Sequence, residues 1–295
     1  MTSDITRFGT VDTALGECPI WDAQTQSLWL MDCRAGRIHR LDAHTGEGPH
    51  WELPPPTGSF ALNTDGRVVV ALKEEVALYD LDSGELTRLA RIHDSHPQVR
   101  LNDGVSLADG SFVVGTMHAG REPGEAPLGG LYRLAPDGSF TRLAQGLGVV
   151  NGPRPTPHGD ALVVADSVAR KIYRYAWQAD GSLGDPSVYI DTTAVDSAPD
   201  GACFDTDGGL WTALVLVGAI ARFGPDGTLT HRIDLPVAHP ASLCFGGPDL
   251  DELYVTTIRD SGRLRADGPL DGAVLRVRGS GFQGTTAPRT RIVAG

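Results

Sequence analysis

Six times along this chain a short apolar run, a tight turn, a second apolar run and a segment of the type Ile-Tyr-Arg-Tyr follow one another. A repeat of this kind decides an architecture before any single residue does. The second runs, with their turns, read AQTQSLWLMD, NTDGRVVVAL, LADGSFVVGT, TPHGDALVVAD, DTDGGLWTAL and GPDLDELYVTT. The third runs read RIHRLD, ALYDLD, GLYRLA, KIYRYA, AIARFG and AVLRVR; they are anchored at Ile38, Leu78, Leu131, Ile172, Ile220 and Val274, at intervals of 40, 53, 41, 48 and 54 residues.

Each copy is rich in β-branched and aromatic residues and is punctuated by Asp-Gly, Thr-Gly or Gly-Gly, the signals of hairpin turns. After the third run come further turns, such as DAHTGE and GPDGT, and then a fourth short run such as TRLA or THRI. Four antiparallel strands per copy, six times over, predict an all-β chain: a six-bladed β-propeller of four-stranded antiparallel blades, one domain over residues 1–295. An open solenoid is disfavoured because the units are too long for one coil, and a pair of sandwiches because they would not keep one phase throughout. Ring closure is expected to join the N-terminal ITRFGTV to the last blade, with the C-terminal RTRIVAG included.

The first strand of each propeller blade lines the central channel, so the residue leading into it points toward the axis at one mouth. In blade order these positions carry Glu17, Gly58, Asn102, Asn151, Asp200 and, allowing a two-residue insertion, Ala241. Asn102, Asn151 and Asp200 are spaced by 49 residues and each lies eight before a turn glycine, Gly110, Gly159 or Gly208; Glu17 stands eight before Thr25 in the equivalent turn. Asp and Asn are ordinary turn formers. A shared turn role would recur in all six blades, however, and two carry small residues here. Two carboxylates and up to two amide oxygens form a hard, oxygen-only ligand set suited to Ca²⁺, Mg²⁺ or Mn²⁺ and able to accept Zn²⁺ or Fe²⁺.

Charge and composition narrow the partners. A net charge of −12 repels nucleic-acid phosphates and anionic lipid heads, so a neutral or cationic small molecule and a metal ion are expected instead. The start MTSDITRFGTVDT has no signal-peptide character and no run reaches a membrane span, which predicts a cytoplasmic protein. Cys18, Cys33, Cys203 and Cys244 form no CxxC pair and are expected to be reduced. No GxSxG nucleophile elbow is present, which argues against a serine esterase.

The segments LGECPIWD, RLNDG, GTM, NGP, ADS, PDG, LWTA and CFGGPDLDELYVTT, in this order over about residues 13 to 258, resemble the gluconolactonase and regucalcin (senescence marker protein) family of six-bladed propellers. The resemblance implies a divalent-metal-dependent hydrolase acting on sugar lactones. It places the family's metal ligands on Glu17, Asn151 and Asp200, its sugar-hydroxyl contacts on Arg100 and Asn102, and a further acidic residue near the metal on Asp103. Two departures stand out. Gly120 occupies a position where some members carry a substrate-binding Glu, with His118 and Glu122 on either side, and Cys18 replaces the usual Gly after Glu17, bringing a thiol near the metal ligands.

On this basis Asp200 is the candidate general base, and Arg100, Asn102, Asp103 and His118 are the candidate substrate contacts. The segment from Ala119 to Gly130 is expected to form a lid over the channel mouth. His93 and His96 are read as residues of a solvated loop, and His231 and His239 as residues of blade connections without a chemical role. The expected reaction opens an aldonolactone to its aldonic acid, in a monomer or weak homo-oligomer. The alternatives are an aryl-ester or organophosphate hydrolase on the same fold, or a non-catalytic Ca²⁺-binding propeller.

Overall fold

The computed structural model of the chain describes residues 3–92, 96–122 and 124–294. After an N-terminal strand β1 (Asp4–Asp12), the chain builds six sheets in sequence order. Blade one holds β2 (Gly16–Asp22), β3 (Ser27–Asp32), β4 (Arg37–Asp42) and β5 (His50–Glu52); blade two holds β6 (Ser59–Leu62), β7 (Val68–Ala71), β8 (Glu75–Tyr79) and β9 (Leu86–Arg91). Blade three holds β10 (Val99–Ser106), β11 (Phe112–His118), β12 (Gly129–Leu134) and β13 (Phe140–Leu147), and blade four β14 (Val150–Pro155), β15 (Ala161–Asp166), β16 (Lys171–Ala176) and β17 (Ser187–Asp191). Blade five holds β18 (Pro199–Phe204), β19 (Leu210–Leu214), β20 (Ala219–Phe223) and β21 (Leu229–Asp234); blade six holds β22 (Pro240–Gly246), β23 (Glu252–Thr257) and β24 (Ala273–Arg278). This is a six-bladed β-propeller, and the six sequence anchors fall one in each third strand.

The first strands pack side by side around a closed ring, from β2 through β6, β10, β14, β18 and β22 back to β2. Burial follows from that stacking. The second strands, such as VVVA of β7 and ALVVAD of β15, are buried along their whole length because neighbouring blades cover both sheet faces. The fourth strands face water, and LTHRID of β21 is exposed at all but one position. Among the described residues no helix is long and apolar enough to cross a membrane.

Closure is half as expected. The strand β1 does complete blade six, pairing antiparallel with β24 from Asp4↔Arg278 to Asp12↔Ala273. The C-terminal RTRIVAG does not join that blade, because β1 already occupies the outer edge of β24. It crosses beneath blades two and three instead: Thr290 N–H donates to Leu62 O (2.9 Å), Arg291 N–H to Gly110 O (2.9 Å) and Ile292 N–H to Asn63 Oδ1 (3.0 Å), with the Ile292 side chain buried between those blades. The preceding stretch from Gly284 to Pro288 runs from Asp205 to Ser106 under the lower end of the channel.

Candidate active site at the channel mouth

In five of the six first strands the pairing register breaks where the strand enters the channel: between Glu17 and Ile20, Leu101 and Gly104, Asn151 and Arg154, Pro199 and Ala202, and Pro240 and Ser242. A β-bulge leaves a residue unpaired and re-aims its neighbours, which is how an inner strand turns a side chain toward the axis. Blade two, which carries Gly58 at this phase, keeps an unbroken register. Its glycine has a packing reason, since a Cβ there would lie 2.6 Å from Asn102 O. Two of the bulges need a left-handed backbone, at Gly152 (φ 47°) and at Cys18 (φ 51°), where the side chain is carried at a conformational cost.

The bulged strands bring Glu17, Asn102, Asn151 and Asp200 to one mouth, and hydrogen bonds tie three blades together there. Arg100 Nη1 donates to Leu101 O (2.8 Å) and to Asn102 Oδ1 (3.1 Å). Asn102 Nδ2 donates to Asn151 Oδ1 (2.7 Å) and Val150 O (2.9 Å), Asn151 Nδ2 to Ser167 Oγ (2.9 Å), and Ser167 Oγ to Pro199 O (2.7 Å). The chain of donors runs one way, from blade three through blade four to blade five, and it fixes which end of each amide faces where. Ser167 belongs to the ADS segment, but nothing in its spacing marked it as part of the site; it follows β15 rather than leading into an inner strand.

Against this ordered network, Glu17 Oε2 and Asp200 Oδ1 are buried with no hydrogen-bond partner. Burial, and then the charges of Asp200 and Asp103, push the Glu17 carboxyl well above the usual carboxylate range, opposed by the Cys18 N–H and the Arg100 guanidinium. Asp200 is raised in the same way, by burial first and Asp103 second, against the Gly201 N–H. Burial draws Arg100 below the usual arginine value, opposed by the attraction of Cys33 and Glu17. Among the described residues no three His, Cys, Asp or Glu side chains are grouped closely enough to hold a metal ion, so an ion at this mouth would depend on the amide oxygens as well.

Asp103 sits deeper, 3% exposed, with its oxygens accepting from Gly104 N (2.7 Å), Gly152 N (2.7 Å) and Cys18 Sγ (3.3 Å). The Cys18 thiol is thereby turned toward Asp103 and Gly58 O, and burial followed by the Asp103 charge pushes its pKa well above the usual thiol value. His118 ends β11, 3% exposed, with both ring nitrogens lacking a partner and its ring edge-on to His96 at 5.6 Å.

The segment expected to be a lid connects β11 and β12, but its last two residues, Gly129 and Gly130, already belong to β12. Glu122 is exposed, its N–H bonded to Glu125 Oε2 (2.9 Å), and Gly120 packs against Gln98. Arg263, from the long connection of blade six on the opposite side of the ring, donates to Ala119 O, so two loops meet across the mouth. His96 is exposed, while His93 lies outside the described residues. His239 sits in a connection, its Nδ1 2.8 Å from Val215 O. His231 is not in a connection: it is a residue of β21, and its ring packs edge-on against Phe282 at 4.8 Å. All four cysteines are free, two of them fully buried.

The fold and this mouth define a six-bladed β-propeller with a cluster of buried polar side chains at one end of its channel. The chain belongs to the SMP-30/Gluconolactonase/LRE-like family, whose model matches residues 15–259. It is 34% identical over 269 residues to a 6-deoxy-6-sulfogluconolactonase of Pseudomonas putida, covering 90% of this chain and 91% of the relative. It is 34% identical over 265 residues to an L-arabinolactonase of Azospirillum brasilense, covering 88% and 87%. The solved calcium-binding regucalcin of Agrobacterium tumefaciens superposes with a TM-score of 0.85 at 26% identity, over 97% of this chain and 98% of that one. A luciferin-regenerating enzyme superposes with a TM-score of 0.89 at 24% identity, over 98% and 100%, and so shares the fold.

Proposed function

We propose that the chain is a divalent-cation-assisted lactonase that opens a sugar lactone to the corresponding aldonic acid in carbohydrate catabolism. The observation that carries the reading is the pair of buried, unpartnered carboxylate oxygens, Glu17 Oε2 and Asp200 Oδ1, at the mouth of the channel. Two buried carboxylates without a salt-bridge partner are unfavourable, and a bound cation offsets that cost. Relatives named as a 6-deoxy-6-sulfogluconolactonase, an L-arabinolactonase and a pentonolactonase support the reaction class. The calcium-binding regucalcin supports the divalent ion.

Glu17, Asn151 and Asp200 fit such an ion by chemistry, offering hard oxygen donors of which two are otherwise unsatisfied. When bound, a divalent ion polarises a lactone carbonyl and acidifies water. The remaining steps fall to the protein's own groups. Asp200 accepts the proton of a water as its oxygen bonds to the carbonyl carbon, then returns that proton to the ring oxygen as the carbon–oxygen bond breaks. The water is thus divided between the new carboxyl group and the freed hydroxyl.

Arg100 and Asn102 orient the sugar hydroxyls, with the Asn102 amide held by Val150 and Asn151. The unpartnered ring nitrogens of His118 support the reading of it as a further substrate contact. Asp103 acts as a positioning residue, since its oxygens already hold the bulges of blades three and four and the Cys18 thiol. A pH-stat screen of metal-stripped protein, reconstituted with single ions and offered pentono- and hexonolactones beside aryl esters and phosphotriesters, tests the whole reading. Ion-dependent opening of sugar lactones is expected. Preference for the esters, or cation binding without any turnover, would replace it with one of the other two functions.

A further inference from the structure

Below the polar mouth the channel holds a second space. A cavity of about 150 Å³ lies between Cys18 and the C-terminal crossing Thr285–Pro288, with Trp21, Phe60, Phe204 and Phe245 in its walls. Into this largely apolar space also reaches Arg154, which follows the blade-four bulge.

Its guanidinium makes one hydrogen bond, from Nη1 to Pro153 O (2.7 Å). Among the described residues it has no carboxylate partner. The acids nearest the lower rim are engaged elsewhere: Asp22 with Arg289, Asp109 with Arg133 and Asp205 with Arg222. The thiols of Cys203 and Cys244 line the same cavity, both feel the Arg154 charge, and both are nevertheless pushed well above the usual thiol value by burial, so neither supplies an anion.

We propose that this lower cavity is a binding site for a small organic carboxylate with an aromatic or comparably flat apolar body, its anionic group on Arg154 and its body between the aromatic walls. An apolar cavity of about this volume accepts a benzene-sized body. A guanidinium pairs with a carboxylate through two parallel hydrogen bonds, which supplies the orientation. The site is separate from the mouth, so it stands or falls independently of the lactonase reading.

The probe is sodium benzoate, titrated calorimetrically into the full-length protein, with benzyl alcohol as its neutral counterpart. One equivalent of benzoate is expected to bind, at least ~10-fold weaker in Arg154→Met because the charge-assisted pair is lost. Binding should disappear in Ala287→Phe, which fills the cavity from the crossing segment while keeping the charge. Benzyl alcohol binding should be weaker and unchanged by Arg154→Met. Thermal melts confirm that both variants fold. Absence of benzoate binding to the wild type would overturn the proposal, as would two folded variants that bind it like the wild type.

Discussion

Removing one hydroxyl, in Ser167→Ala, probes whether the mouth works as a pre-ordered unit. Ser167 Oγ accepts from Asn151 Nδ2 at 2.9 Å and donates to Pro199 O at 2.7 Å, so the substitution deletes two hydrogen bonds and leaves an amide donor and a carbonyl without partners. At about 1 kcal/mol net per bond the stability loss is about 2 kcal/mol. For a chain of 295 residues that corresponds to a fall of roughly 3 °C in Tm. The functional loss should be larger than the stability loss implies. Without the serine the Asn151 amide is held only by the bond its Oδ1 accepts from Asn102 Nδ2, so its NH₂ can more readily take the place of its oxygen in the ligand set. Outer partners that orient a ligand typically govern about 10–100-fold in metal affinity. Calorimetric titration of Ca²⁺ and Mn²⁺ into metal-stripped Ser167→Ala, with lactone turnover at saturating ion, checks this. Weakened ion affinity, with turnover largely recovered at high ion, is expected. A variant that loses the stability but keeps wild-type ion affinity would refute the view that the donor chain from Arg100 to Pro199 orients the ligand set.

Asp200→Asn should lower kcat by at least ~100-fold even where an ion is still bound, because an amide cannot accept the water's proton; substantial residual turnover would remove Asp200 as the base. At Cys18, which holds φ 51°, Cys18→Gly should be more stable than Cys18→Ala by roughly 1 kcal/mol, since both lose the thiol but only glycine relieves the left-handed backbone. Urea denaturation giving the reverse order would show that position to be unstrained. His39 has its pKa lowered to about 4, by burial first and the neighbouring His50 second. The fold therefore favours the neutral ring, and that contribution is fully present above the ordinary histidine pKa of ~6.5 and is lost as pH falls from there toward 4. Discounted for partial solvent screening, it is about 1–3 kcal/mol, and His39→Gln should flatten the stability profile across that window in denaturation experiments at stepped pH. An unchanged profile would mean that another group governs it.

The propeller was legible because each blade repeats its own hydrogen-bonding and burial problem: short β-branched runs between Asp-Gly turns specify hairpins locally, and their apolar faces are buried only by stacking. The phase of the repeats even singled out Glu17, Asn102, Asn151 and Asp200, since a fixed offset from a turn becomes a fixed height in the channel. Local pattern could not reveal how the chain ends meet. RTRIVAG has the composition of an edge strand, yet β1 takes that edge, and the tail is held by side-chain and loop partners such as Asn63 and Gly110, more than 180 residues away in sequence. His231 lies within the run THRI that the repeat already marks as a fourth strand, and the structure puts it in β21 and not in a blade connection.

What the sequence determined by itself is therefore periodic: the number of blades, the strands in each, and which residue of each inner strand can reach the axis. What only the tertiary structure decided is which of those residues are satisfied by their neighbours. Asn102 and Asn151 are bonded across blades, Asp103 is fully occupied below them, and Glu17 and Asp200 are left with bare oxygens. Whether a polar atom has a partner depends on side chains converging from different blades, on bulges that shift the register, and on a serine at the end of a second strand. None of these distances is encoded in the spacing of residues along one strand.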